Sequence, residues 1–241
     1  MPVKQLRTTS LSVMAGQINS IISTYPQIDI SVTAIDLNNN QAYNYGANVP
    51  FVAASTAKLI TATDFLHQVE AGQESLNENL GGQSAQSLLK AMIVQSDDNA
   101  WYTLNNELGY DNLGNYAQNQ IGIKDWDESD DTLMSGDIAL TLQELYEHKL
   151  LNTSHTALLL SYMKIANRAE YIPAAVPAGV KVYHKAGWLD DRIHDSAIVD
   201  NGIHPYVLVI FTNGHGVYDE PQRTQILQDI TKATVAHFIG S

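Results

Sequence analysis

Ser55-Thr56-Ala57-Lys58 sets a hydroxyl and an amine three residues apart, the spacing at which two side chains share one helix face. A serine hydroxyl is a weak nucleophile until a neighbouring base takes its proton. A lysine amine is such a base once burial or nearby positive charge lowers its pKa. If a helix starts at Ser55, its amino-terminal N–H groups also stand ready to stabilise an oxyanion. Taken alone the pair is weak, because the same S-x-x-K pattern recurs at Ser87–Lys90 and Ser161–Lys164.

Order along the chain adds specificity. Ser55 follows a strand hairpin and the apolar run Pro50-Phe51-Val52-Ala53-Ala54. Ser96-Asp97-Asp98-Asn99 comes next, between two helical patterns, and Lys185-Ala186-Gly187 later ends a strand pattern. Ala91-Met92-Ile93-Val94-Gln95-Ser96-Asp97 and His194-Asp195-Ser196-Ala197-Ile198 flank the second and third of these motifs.

This ordered set of S-x-x-K, S-D-N-like loop and K-T-G-like strand resembles the class A β-lactamases and penicillin-binding proteins. The resemblance implies an acyl-enzyme on Ser55, with Lys58 taking its proton and Ser96 relaying a proton to the leaving group. Lys185 would add positive charge and attract a substrate carboxylate, and the backbone N–H groups of Ser55 and Trp188 would form the oxyanion hole. Asp98, Asn99, Ala186 and Gly187 would line the substrate side. Arg192 has two readings, a bidentate carboxylate clamp or a surface ion pair with Asp190 or Asp191. No cofactor and no metal are implied.

Three departures from the pattern carry consequences. Asp98 stands at the third position of the S-D-N loop, so either it points into the site or Asn99 fills the role. A carboxylate beside Lys58 raises the lysine pKa and weakens it as a base. Ala186 replaces the threonine of K-T-G and loses a hydroxyl for a substrate carboxylate, a hydrogen bond of about 1.5–3 kcal/mol. No E-x-x-L-N is present to place a deacylating water. Glu128, in the acidic stretch Lys124 to Asp131, is the one nearby glutamate and the candidate base. Acylation with slow deacylation follows. A catalytically weak protein that holds peptidoglycan fragments in the same cleft is the alternative.

The elements that must position these residues are legible from periodicity. Ser10–Tyr25 predicts an amphipathic helix stopped by Pro26, followed by a hairpin of Asp29–Leu37 and Gln41–Tyr45. Helices are expected over Thr56–Ala71, Ser84–Gln95, Ala100–Leu108, Asp137–Leu150 and His155–Ala166, with a loop over Lys124–Asp131. Strands over Val180–Ala186, Asp195–Val199 and Tyr206–Thr212 precede a closing helix, Pro221–Phe238. The expected fold is α/β (α+β): an antiparallel sheet lobe from 1–50 and 178–241, flanked by terminal helices, with an all-helical lobe from 51–177 inserted and the site between them.

Composition bounds the rest. With 241 residues, 44% of them hydrophobic, the chain can bury a sizeable core. A net charge of −13, from 26 acidic against 13 basic residues, repels phosphate backbones and anionic lipid, which argues against nucleic-acid binding. The absence of cysteine removes disulfides, thiol nucleophiles and thiolate-held zinc. No stretch reaches the roughly 18 apolar residues of a membrane span. Met1 to Arg7 lacks the apolar core of a signal peptide; a secreted or cell-envelope protein whose leader has been removed and a cytoplasmic one both stay open. None of the eight histidines shows a tight metal-ligand spacing.

Overall fold

The computed structural model describes residues 9–124, 126 and 131–240. The elements run α1 (Leu11–Thr24), β1 (Asp29–Asp36), β2 (Gln41–Gly46), β3 (Phe51–Val52), α2 (Lys58–Glu70), β4 (Asn79–Leu80), β5 (Gln83–Ser84), α3 (Ala85–Val94), α4 (Asp98–Leu108), α5 (Tyr110–Tyr116), β6 (Thr132–Leu133), α6 (Ser135–Tyr146), α7 (Thr153–Met163), β7 (Lys181–Leu189), β8 (Arg192–Asp200), β9 (Tyr206–Asn213) and α8 (Glu220–Phe238). A 3-10 turn, Ala54–Thr56, precedes α2, and a π-helical turn, Ala117–Ile121, follows α5.

Five strands form one antiparallel sheet in the order β2-β1-β9-β8-β7. The middle strands β1, β9 and β8 are buried on both faces; β9 runs apolar almost throughout, whereas β1 and β8 bury Ser31, Thr33, His194, Asp195 and Ser196 among their Ile, Val and Ala. One face carries Ile30, Val32, Ala34, Leu208 and Ile210 against Met14 and Ile18 of α1 and Ile226, Leu227 and Ile230 of α8. The other face presents Ile35, Ile198, Val207, Val209 and Phe211 to the helical block of α2 to α7.

Helix starts follow local chemistry. Ser10 accepts from Val13 N–H at 3.3 Å and opens α1; Asp97 accepts from Ala100 N–H at 2.9 Å and opens α4 two residues earlier than periodicity suggests. Such caps satisfy donors that the first turn leaves unpaired. The helix expected over Asp137–Leu150 ends at Tyr146, and His148 follows at φ +58°. The helix expected to run unbroken from Thr56 is split, with the 3-10 turn preceding α2.

Candidate active site

Three elements converge on Ser55. The 3-10 turn that carries it begins at Ala54, whose φ is +50°. An alanine in this left-handed region is strained. Lys58 at the head of α2 is wholly buried, and its Nζ donates to Ser55 Oγ at 2.9 Å, Ser96 O at 2.7 Å and Asp98 Oδ1 at 2.5 Å. Its distance to Ser96 Oγ is 3.4 Å. Ser96, between α3 and α4, also takes a left-handed backbone, φ +62°, which turns both its carbonyl and its hydroxyl toward Lys58.

On the far side lies β7, one of the two edge strands of the sheet. Lys185 is fully buried there, its Nζ donating to Ser96 Oγ at 2.7 Å and Ala186 O at 2.8 Å. Gly187 has a steric reason: a Cβ there would meet Ala53 O at 3.0 Å, Thr56 Cγ2 at 3.0 Å and Thr56 N at 3.3 Å. Only a residue without a side chain lets the strand lie this close to the nucleophile turn. Ser55 and Trp188 line a cleft of about 540 Å³ with Asp98, Asn99, Trp101, Tyr110, Trp126 and Asp131. A smaller recess of about 200 Å³ joins Ser55 to Ser96, Asp98, Ala186 and Trp188, and adds Gln95, Asn167 and Arg168.

The electrostatics follow from burial. Desolvation pulls Lys58 below the usual lysine pKa, and the Asp98 hydrogen bond and charge pull it back upward without winning. Asp98 thus acts in the direction the sequence suggests, while burial sets the net sign. Lys185 falls to about 7, through burial first and the Lys58 charge second. Asp131 rises to about 7 because it is buried, against the lowering pull of Lys58.

The sequence left two positions with alternatives. Asp98 points into the site and binds Lys58, whereas Asn99 lines the wider cleft. Arg192 reaches Asp191 at 3.3 Å and lines neither space, so its place is that of the surface ion pair and not of a carboxylate clamp. Glu128 lies outside the described residues.

Other contributors escaped sequence reasoning. Arg168, at φ +67°, lines the recess beside Ser55, pairs with Glu220 at 2.7 Å and sits over the Trp188 ring at 5.9 Å. Asn167 holds the Ser96 loop through its N–H to Val94 O and its side-chain amide to Gln95 O. His194 joins β8 to β3: Nε2 donates to Val52 O at 2.9 Å while Nδ1 accepts from Thr212 N–H at 3.0 Å. Burial drops its pKa to about 4, in keeping with a neutral ring. No local pattern marks these residues. Away from the cleft, Glu74, Glu78 and Glu107 bring carboxylate oxygens within 4.8 Å of one another, and among the described residues no histidine joins them. Burial and those two neighbours raise Glu74 to about 7.

The comparisons agree with this architecture. Similar solved structures include PBP-A, at 20% identity and TM-score 0.84 over 95% of this chain and 97% of that one. A mutant of PBP-A described as an acyl-enzyme complex with penicillin G matches at 20% identity and TM-score 0.84, over 93% and 95% of the two chains. An ancestral class A β-lactamase (GNCA) gives 18% identity and TM-score 0.84, over 93% and 100%. Among curated proteins there is no match. The model described as the β-lactamase enzyme family matches residues 14–238, nearly the whole chain, and this protein therefore belongs to that family.

Proposed function

We propose that this protein is a serine hydrolase that forms an acyl-enzyme on Ser55 with β-lactams or D-alanyl peptide-like amides and esters, and releases β-lactam products slowly. The observation that carries this reading is the 2.9 Å contact between Lys58 Nζ and Ser55 Oγ in a buried setting that lowers the lysine pKa. In its neutral form Lys58 takes the Ser55 proton as Oγ bonds to the substrate carbonyl carbon. The backbone N–H groups of Ser55 and Trp188 are assigned to the resulting oxyanion. The carbonyl C–N or C–O bond then breaks, and the leaving atom takes a proton from Ser96 Oγ, which the protonated Lys58 Nζ 3.4 Å away resupplies while Lys185 Nζ holds that oxygen at 2.7 Å. A bacterial cell-envelope location suits such substrates.

A second reading, a weakly catalytic binder of peptidoglycan fragments, is favoured by Asp98 on Lys58 and by the missing hydroxyl at Ala186. Intact-protein mass after addition of a penicillin, with Ser55→Ala as control, separates the two. A lasting adduct on the wild type alone supports the hydrolase. Neither adduct nor drug consumption favours the binder, and consumption without an adduct overturns slow deacylation.

A further inference from the structure

His184 precedes Lys185 on β7, is 2% exposed, and takes no part in the acylation steps above. Successive strand side chains point to opposite faces, so its ring lies across the sheet from the Lys185 amine, and it lines neither the cleft nor the recess. His184 stands opposite Ala197 in the β7–β8 ladder, which makes Asp195 its diagonal neighbour on the same face. Its Nδ1 is 3.1 Å from Asp195 Oδ1 and 3.3 Å from Oδ2. Asp195, fully buried, also accepts from Ile172 N–H at 3.0 Å, and the Ala166 carbonyl is a second partner of the His184 ring. The pair thus grips both ends of the 166–172 segment, which lies between α7 and β7. Hydrogen bonds of a charged pair in a dry setting hold more firmly than exposed ones.

Between the two grips sits Asn167. Its N–H donates to Val94 O at 2.9 Å and its side-chain amide to Gln95 O at 3.0 Å. These are the two carbonyls that precede Ser96, whose left-handed backbone, φ +62°, brings its hydroxyl to Lys185 and Lys58. A continuous run of hydrogen bonds therefore leads from β8 to Ser96. We propose that His184, clasped to Asp195, is a positioning residue for acylation: it fixes Asn167 and, through Asn167, the Ser96 hydroxyl that protonates the leaving atom. This rests on the serine reading above.

The test compares two acyl donors by the rate at which each adds its mass to the protein. A penicillin must release an amine, which needs a proton to leave; an aryl thioester of an N-acyl-D-alanine releases a thiolate, which does not. Ser96→Ala should slow acylation by the penicillin and spare the thioester, the signature of a lost leaving-group proton. His184→Ala and Asn167→Ala should show the same signature. Their penicillin acylation should fall about tenfold or more, because a misplacement of about 1 Å costs roughly a hundredfold. If His184→Ala does not fold, His184→Gln, which keeps an amide donor for Asp195, takes its place and should show the signature at smaller size; Asn167→Ala alters an exposed side chain. Penicillin acylation unchanged in these variants, or both donors slowed alike while Ser96→Ala stays selective, overturns the positioning role. Both donors slowed alike in Ser96→Ala removes the leaving-group role and this proposal with it. No adduct from either donor on the wild type brings down the serine reading itself.

Discussion

Asp98 tunes the amine beside Ser55. Its carboxylate reaches Lys58 at 2.5 Å, and the carboxylate itself is 84% exposed, so its charge is screened and it offsets only part of the burial that keeps the lysine pKa low. Removing that charge lets burial act unopposed. Asp98→Asn should move the rise of the acylation rate with pH to lower pH, and acylation at neutral pH should quicken. Stopped-flow or quenched mass kinetics against pH would read this; an unmoved profile would mean Lys58 is not the group whose ionisation limits acylation. At this scale the sequence was informative about Ser55, Lys58, Ser96 and Lys185, which sit in ordered motifs. It was silent on Arg168 and Asn167, and showed Asp131 only as one more acid, because their bearing on Ser55 arises from tertiary contacts between distant segments.

Among the elements, the approach of β7 to the nucleophile turn matters most. Gly187→Ala would set its Cβ 3.0 Å from a backbone oxygen and from Thr56 Cγ2, so the strand or the turn must shift by tenths of an ångström. Because misplacement of about 1 Å costs roughly a hundredfold in rate, acylation should fall by about tenfold or more. The thermal midpoint should drop by only a few degrees. A variant of normal activity would show that Trp188 and the turn adjust together. Elements with strong periodicity, such as α1, α3 and the central strands, were readable from the sequence. The chain from Tyr110 to Ile121 was not, since its Asn, Asp and Gly are poor helix formers and packing of Leu113, Tyr116 and Ile121 decides its state. Two-residue strands such as β3 and β6 leave no periodic trace at all.

For the molecule as a whole, the pH dependence of stability follows from how buried groups titrate. Burial raises Asp64 to about 6 and Asp131 to about 7. Their native forms hold protons that the unfolded chain, with ordinary carboxyls near 4, has released. The stability they contribute is present below about pH 4 and is lost as pH rises through 6 to 7. His184, raised by the Asp195 charge despite burial, acts in the same sense above the ordinary histidine value. His194 and Lys185 oppose them, because burial keeps native His194 unprotonated down to about pH 4 and lets native Lys185 lose its proton near 7. A net charge of −13 adds self-repulsion that grows with pH. The thermal midpoint should therefore be higher at pH 5.5 than at pH 7.5, by about 4 °C for a net change near 1–2 kcal/mol. Calorimetry at both pH values would check this, and a midpoint that climbs with pH would mean that His194 and Lys185 outweigh the buried acids.

The central ladder joins Ile30 of β1 to Thr212 of β9, so its two strands come from opposite ends of the chain. During synthesis β1 leaves the ribosome long before β9 exists, and its edge toward β9 stays unpaired until then. Everything from β3 to α7 can pack earlier from contacts nearer in sequence. Closing the sheet is thus a late event with a large loop to bring together, which slows folding and lengthens the time in which exposed strands can find wrong partners. A chain shortened before β9 would keep its Ser55 motif but lack the strand that joins the β1–β2 pair to the β7–β8 pair.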